Sequence, residues 1–296
     1  MADDRLNIAE DHGARPLGGS ESARIWRHDG LSGIELFRGS YRRYRFARHY
    51  HSVPAIGVVE RGVMASYCRH KNHVVPAGSI ILFNPGDVHA PASADGKDWS
   101  FRTLFFEDSA YRKYSLALNK AMLRFKKPFI ADPETAARLL HLHRSLEQSG
   151  TGLGFESALL EILGEIADRH VGLPASDRPI SKETDKVKRA KEYIEAYYSR
   201  NITLDELAGV SGFGTYHLLR VFRSAVGLTP HAYLIQIRIE AAKKLLLSGA
   251  TAAATALSTG FVDQSHFHRH FKRIIGVTPG HYHADFRKST AVGATA

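Results

Sequence analysis

The chain has 296 residues, a formal net charge of +10 and one cysteine, Cys68. This length suffices for two ordinary domains, while a single cysteine excludes an intramolecular disulfide framework and is what a reducing cytoplasm allows. No apolar run approaches the roughly 18 residues of a membrane-spanning helix, and the polar N-terminus lacks the apolar core of a signal peptide, so we expect a cytoplasmic protein without a membrane partner.

The first half of the chain has the pattern of an antiparallel β domain. Short runs rich in β-branched and aromatic residues alternate with turn residues such as Arg61-Gly62 and Pro85-Gly86. These runs cover residues 33–37, 55–60, 63–68, 79–83 and 101–106. Strands at this spacing predict a sandwich or a barrel.

Two helices are predicted after the β domain, over Pro133–Gln148 and Gly154–His170. Each has an apolar stripe at helical spacing. In the second helix the stripe includes Leu159, Ile162, Leu163 and Ile166. The polar, proline-containing residues 172–184 then predict an interdomain linker.

A segment near the C-terminus occurs twice. Residues 217–233 read HLLRVFRSAVGLTPHAY and residues 266–282, which start 49 positions later, read HFHRHFKRIIGVTPGHY, with identity at seven of 17 positions. Each copy follows an alanine and, four residues later, a glycine, which in the first copy are Ala208 and Gly212. A small residue where two helices cross and a glycine in the turn are what a tight helix-turn-helix unit requires. Two such units in tandem indicate a DNA-binding domain.

Both copies contain the pattern Gly-X-Thr-Pro, and Pro230–Leu247 after the first copy predicts one continuous helix. Glycine allows a left-handed C-terminal cap, threonine caps the next helix, and proline suits its first position. At 1.5 Å per residue the 18 residues of this helix span about 27 Å. It could therefore hold two recognition helices near the spacing of one turn of B-DNA, about 34 Å.

Each repeat predicts an amphipathic recognition helix with a polar outward face. Arginine can pair with guanine and glutamine with adenine in the major groove, whereas lysine and further arginines suit phosphates. The candidate DNA contacts are Thr215, Tyr216, Leu219, Arg220 and Arg223 in the first copy, and Gln264, Ser265, His268, Arg269 and Lys272 in the second. Residues 217–296 hold ten Lys and Arg against three Asp and Glu, so this tail carries +7 of the chain's +10, as expected of a nucleic-acid-binding domain.

Residues from about 185 to 286 resemble the tandem helix-turn-helix domain of AraC/XylS-type transcription regulators. The matching positions include Ala208, Arg220, Phe222, Gly227, Gly260, Phe261, Gln264, Ser265, Arg269 and Phe271. The resemblance implies that the outward faces of both recognition helices enter adjacent major grooves of double-stranded DNA. Gly214 departs from the family's usual serine N-cap, and Ala252 and Thr255 replace frequent isoleucines. The second unit is therefore expected to pack more loosely.

Residues 30–110 resemble the cupin-like sensor domain that precedes many AraC-type DNA-binding domains. The matching segments are residues 49–51, 60–62, 76–79 and 84–89. The expected fold is α+β and multidomain, with a cupin-like β-barrel and a following helix pair, then an all-α domain of two helix-turn-helix units joined by a long helix. We assign residues 21–171 to effector binding and dimerisation, 172–184 to the linker and 185–286 to DNA binding. In the resembling family the helix pair forms a homodimer, and the alternative is that it only covers the barrel.

His49, His51 and His89 match three positions that bind a metal in enzymatic cupins. Histidines two apart on a strand share a face, so three imidazoles could converge inside the barrel. The carboxylate ligand is lacking, because Ala55 and Ile56 stand at its position. We therefore expect an organic-ligand pocket or core hydrogen bonds rather than a metal or cofactor, with three histidines and water as the alternative. The candidate effector contacts are His49, His51, His89, Tyr44 and Arg45.

The sequence predicts a sequence-specific transcription regulator, not an enzyme, controlled by a small-molecule effector in the N-terminal barrel. Its expected partners are promoter or operator DNA, the effector, a second copy of the chain and, if it is an activator, RNA polymerase. The alternative is a metal-dependent cupin enzyme, a dioxygenase or isomerase, with a helical appendage. The lacking carboxylate and the tandem repeat argue against that alternative.

Overall fold

A computed structural model describes residues 21–120, 122–148, 154–172 and 182–292. Within these ranges the predicted architecture is confirmed, with a sheet-rich N-terminal domain, a helix pair and an all-helical C-terminal domain. The predicted linker at residues 172–184 lies mostly outside the described residues, so the domain boundaries stay predictions. Among the helices that are described, none combines the length and the hydropathy of a membrane span.

The N-terminal domain is built from short strands. They are β1 (Ser22–Arg27), β2 (Ile34–Tyr41), β3 (Ala55–Arg61), β4 (Val63–Cys68), β5 (Lys71–Pro76), β6 (Ser79–Phe83), β7 (His89–Ser93), β8 (Trp99–Phe106) and β9 (Phe129–Ala131). The five predicted runs correspond to β2, β3, β4, β6 and β8. The sequence analysis missed β1, β5, β7 and β9. Apart from His89, β7 consists of small residues and a proline, and β9 has only three residues.

The strands pair in two antiparallel sheets. Six pair in the order β1-β2-β8-β3-β6-β9 and three in the order β5-β4-β7. An isolated bridge between His49 and His89 joins the segment before β3 to β7. The predicted barrel is thus an enclosure of two sheets, and the strands of the described residues do not close into one hydrogen-bonded cylinder.

The other regular elements of the described chain are helices. They are α1 (Asp108–Ala117), α2 (Pro133–Gln148), α3 (Gly154–His170), α4 (Lys182–Tyr197), α5 (Leu204–Ser211), α6 (Thr215–Val226), α7 (Pro230–Leu247), α8 (Ala252–Ser258), α9 (Gln264–Ile275) and α10 (Pro279–Val292). Helices α2, α3 and α7 have the predicted bounds. The sequence analysis did not predict α1.

The apolar stripes of α2 and α3 are buried within the chain. Leu139, Leu159 and Ile162 belong to the same core cluster as Ile56 and Leu104 of the large sheet. Each of these side chains is at most 2% exposed. The helix pair therefore covers the sheet, and its stripes do not form a free surface for a second copy.

Capping residues set the ends of the two repeated units. Gly214 is the N-cap residue of α6 and supplies no side-chain cap, as the missing serine predicts. In contrast, Asp263 caps α9 by accepting from the His266 amide. Gly227 and Gly276 end the two helices in the left-handed conformation, with φ of +82° and +89°. The repeated glycine is therefore the C-terminal cap of the recognition helix in both units.

The second unit contains a buried polar atom where the family often has an isoleucine. Thr255 of α8 is fully buried. Its hydroxyl has no hydrogen-bond partner among the residues that the structure describes. An unsatisfied buried hydroxyl lowers stability, while the looser packing expected of this unit stays a prediction.

Candidate functional site

Helix α6 separates an apolar side from the predicted reading face. Leu218 and Phe222 are fully buried, whereas the side chain of Tyr216 is 82% exposed. Arg220 and Arg223 are exposed, while Thr215 and Leu219 are half-buried. The five candidate residues thus lie on the accessible side of the helix.

Helix α9 repeats this arrangement. Phe267 and Phe271 are fully buried. The candidate residues lie on the other sides of the helix, where Gln264, Ser265 and Arg269 are exposed and His268 and Lys272 are half-buried. The structure therefore leaves both predicted reading faces accessible, and base contact by these residues stays a prediction.

A cavity of about 40 Å³ lies inside the N-terminal domain. Much of its wall is aromatic, with Phe37, Phe46, Phe83, Phe101 and Phe105. Its polar part consists chiefly of the imidazoles of His49, His51 and His89, whose ring centroids are 4.3 to 5.0 Å apart. The predicted convergence of the three histidines is therefore present in the structure.

Backbone carbonyls determine the tautomers of two of these histidines. His49 Nδ1 lies 2.8 Å from the carbonyl oxygen of Ala47, and His89 Nδ1 lies 2.8 Å from that of Asp87. Because a carbonyl oxygen can only accept, each Nδ1 carries the proton. The Nε2 atom of each ring is thus left as a hydrogen-bond acceptor.

The three imidazoles are neutral at neutral pH. Burial lowers the pKa of His49 to about 4. Burial, together with repulsion by the neighbouring imidazoles, lowers the pKa of His51 and of His89 well below the usual histidine value. The cavity therefore offers hydrogen-bonding groups without charge, among them the acceptor Nε2 atoms of His49 and His89.

We expect the protein to lose stability as the pH falls from 6.5 to 4. In this interval the unfolded chain, with a His49 pKa of about 6.5, binds more protons than the folded chain, so stability rises with pH. At pH 5, the shift of His49 alone corresponds to about 2 kcal/mol of lost free energy of unfolding. In urea unfolding at pH 7, 6 and 5, the free energy of unfolding should decline less for His49→Gln than for the wild type. Equal declines in the two proteins would contradict this prediction.

The same three histidines are the residues that could hold a metal. Their nitrogen atoms lie within 4.8 Å of one another. Tetrahedral zinc with bonds of about 2.0–2.1 Å needs nitrogen atoms about 3.4 Å apart, so the rings would have to move closer together. The cluster contains no carboxylate. The expectation of an organic-ligand pocket rather than a metal site stays a prediction.

The other two candidate effector residues lie outside the cavity wall. Tyr44 is buried, but its hydroxyl donates to the backbone carbonyl of Lys272 near the end of α9. Arg45 is exposed at the surface. The structure therefore brings three of the five candidate residues together, and Tyr44 instead joins the N-terminal domain to the second repeat.

The last turn of α9 completes the cavity. Ile274 and Ile275 form part of its wall, and the Ala47 amide donates to the carbonyl of Arg273 at 3.1 Å. A Cβ atom on Gly276 would lie 3.1 Å from the Phe37 and Phe46 rings. The sequence pattern identified the isoleucines as buried, but no local signal could show that their neighbours belong to the N-terminal domain.

A groove separates the first reading face from the N-terminal domain. Its wall includes Tyr216, Leu219, Arg220 and Arg223 from α6, and Arg48, Tyr67 and His70 from the N-terminal domain. The Arg48 guanidinium lies 4.0 Å above the Tyr67 ring. Both repeats thus lie against the N-terminal domain, which the sequence analysis did not anticipate.

Comparisons with known proteins match both parts of the chain. The model of an AraC-like ligand binding domain matches residues 31–163, and that of a helix-turn-helix domain matches residues 207–285. The uncharacterized HTH-type transcriptional regulator YbfI of Bacillus subtilis is 32% identical over 235 residues, which cover 79% of this chain and 85% of YbfI. The transcriptional activator NphR of a Rhodococcus species is 31% identical over 135 residues, covering 45% of this chain and 39% of NphR.

A solved structure shares the fold over most of the chain. The crystal structure of ToxT from Vibrio cholerae superposes with a TM-score of 0.52 at 14% identity, covering 86% of this chain and 99% of ToxT. At this identity the similarity concerns the fold alone. It agrees with a sheet-rich domain followed by two helix-turn-helix units.

Proposed function

This chain belongs to the AraC-type family of helix-turn-helix transcription regulators, and from that premise we propose how its two reading faces and its cavity act. The exposed faces of α6 and α9 enter two adjacent major grooves. A small molecule in the histidine cavity controls how the N-terminal domain holds these helices. The observation that carries the proposal is that one chain presents two accessible amphipathic helices while the end of α9 forms part of the cavity wall.

The dimensions of the connecting helix support binding across one turn of DNA. Helix α7 has 18 residues, which corresponds to about 27 Å at 1.5 Å per residue. Successive major-groove faces on one side of B-DNA are about 34 Å apart. One chain can therefore read two half-sites without a second copy.

The remaining partners follow from the family membership. We include a homodimer, RNA polymerase in the case of an activator, and a cytoplasmic location. The apolar stripe of α3 is buried against the sheet, so a dimer would need a different surface. The proposal for DNA reading does not depend on that surface.

Selection from random duplexes tests the DNA-reading proposal. The full chain should enrich one sequence with two half-sites about ten base pairs apart, and its affinity should fall steeply with salt because bound phosphates release counterions. A variant with Arg220→Ala and Arg269→Ala should lose the enrichment, whereas Arg112→Ala, an exposed arginine of α1, should retain it. If the folded chain enriches no sequence even at low salt, the DNA-reading proposal is wrong.

A further inference from the structure

The cavity in this structure is too small for an organic effector. Its volume is about 40 Å³, which is room for a few water molecules at most. An apolar cavity that accommodates a benzene ring has a volume of about 150 Å³. A ring-sized ligand must therefore displace part of the wall.

The wall includes two residues that come from the C-terminal domain and belong to neither sheet. Strands and the segments beside them supply most of the lining, whereas Ile274 and Ile275 come from the end of α9. The hydrogen bonds that join this turn to the N-terminal domain include those from the Tyr44 hydroxyl to Lys272 and from the Ala47 amide to Arg273. Because the two isoleucines belong to no strand, a ligand can displace them and leave the strand pairing of both sheets intact.

The polar groups of the cavity restrict the chemistry of the ligand. His49 and His89 each use Nδ1 to donate to a backbone carbonyl and leave Nε2 as an acceptor. A complementary ligand must therefore supply an O–H or N–H donor. Among the described residues the lining contains no Lys or Arg, so an anion would be buried there without a counter-ion, which is unfavourable.

We propose that the effector is a neutral, ring-sized molecule with an O–H or N–H donor, and that it binds by displacing Ile274 and Ile275, which releases α9 from the N-terminal domain. This inference rests on the proposed effector control of DNA reading. The ligand and the docked end of α9 exclude each other. By linkage, anything that weakens the docking of α9 strengthens ligand binding by the same factor.

Release of α9 also affects the first unit. Tyr50 of the N-terminal domain accepts a hydrogen bond at 3.0 Å from Gln236 of the connecting helix α7, and Gly227 at the end of α6 lies against Val88. Because α7 connects the two units, displacing α9 strains these contacts as well.

Phenol, toluene and benzoate are the probes for the ligand class, because phenol and toluene differ mainly in the hydroxyl group. Calorimetric titration of the full chain should show that phenol binds about tenfold more tightly than toluene, with benzoate the weakest. Binding of toluene or benzoate as tight as that of phenol would overturn the proposed ligand class.

Variants of the wall test the displacement. Ile275→Ala should bind phenol at least tenfold more tightly than the wild type, because the ligand no longer has to displace the larger side chain. Ile162→Ala in α3 is the matched control, since Ile162 is also buried but belongs to a separate core cluster and not to the cavity wall, and its phenol affinity should not change. Equal phenol affinity in all three proteins, or no binding to any of them, would overturn the proposal.

Hydrogen exchange on the wild type gives a test that requires no variant. At saturating phenol the Ala47 amide, which donates to Arg273, should exchange faster, while the His49 amide, which donates to His89 at 3.0 Å, should remain protected. An unchanged or slower Ala47 amide would show that the ligand binds without releasing α9. Duplex binding by the same sample separates the displacement of α9 from the DNA-reading proposal. If the Ala47 amide exchanges faster but the sample binds no duplex, the DNA-reading proposal is contradicted and the displacement stands.

Discussion

Glu35→Gln should lower the free energy of unfolding of the full chain by about 3 kcal/mol, because it leaves a mostly buried cation without its counter-ion. Glu35 lies on β2 with its side chain 9% exposed. Its carboxylate is 3.7 Å from Lys243 Nζ and 3.3 Å from Arg27 Nη2. It also accepts from the Tyr282 hydroxyl at 3.5 Å.

Lys243 shows how much depends on this carboxylate. Burial by itself would lower the pKa of Lys243, but the negative charge of Glu35, with smaller contributions from Tyr282 and Glu240, holds that pKa above its usual range. With a neutral glutamine at position 35, the largest of these compensating interactions is lost. Glu35 belongs to the N-terminal domain and Lys243 to α7. The substitution therefore destabilises the contact between the two domains.

Urea unfolding of the full chain measures this effect. Glu107→Gln is the matched control, since Glu107 also pairs with Arg27 but its side chain is 43% exposed. Exposed ion pairs contribute little, so the control should cost less than about 1 kcal/mol. Similar losses of unfolding free energy in Glu35→Gln and Glu107→Gln would mean that the ion pairs of Glu35 do not stabilise the contact between the domains.

The helices of the C-terminal domain could be predicted because their signals are local. Thr229 and Pro230 mark the start of α7, and glycines mark the ends of α6 and α9. Periodic apolar residues then identified the buried side of each recognition helix. Capping and periodicity act within a few residues, so the sequence alone suffices to read them.

The contact between the domains could not be predicted, because it depends on residues far apart in the chain. Ile274 has the same local pattern whether it packs within its own unit or against cavity residues that lie 169 to 237 positions earlier in the chain. Tyr44 likewise appeared to suit an effector, and its hydroxyl instead reaches Lys272. The three histidines were identified only because their short motifs could be compared with a known domain.

Arg269→Ala should cost about 1–3 kcal/mol on the native DNA site and relax the preference at one base pair. Arg269 is exposed on α9 beside Gln264 and Ser265. Arginine in this position can pair bidentately with guanine. The loss should therefore be specific to the site that contains this base pair.

Lys272→Ala should behave differently, because Lys272 lies near the end of the helix and suits a phosphate. It should weaken binding to the native site and to random duplexes about equally, and lower the salt slope by about one ion. Its backbone carbonyl accepts from Tyr44, and replacement of the side chain leaves this bond in place. The comparison thus isolates the contribution of the ammonium group.

Arg220→Ala shows which unit contributes more to specificity. Arg220 occupies the position in α6 that corresponds to Arg269, and its guanidinium lies 3.3 Å from His217 Nδ1. The unsatisfied Thr255 hydroxyl weakens the second unit, so Arg220→Ala becomes the more damaging change if that unit docks weakly on DNA. All three variants should be measured on the native site and on a scrambled duplex at two salt concentrations. If both arginine variants weaken binding to the two duplexes by the same factor, neither arginine reads bases and the assigned reading faces are wrong.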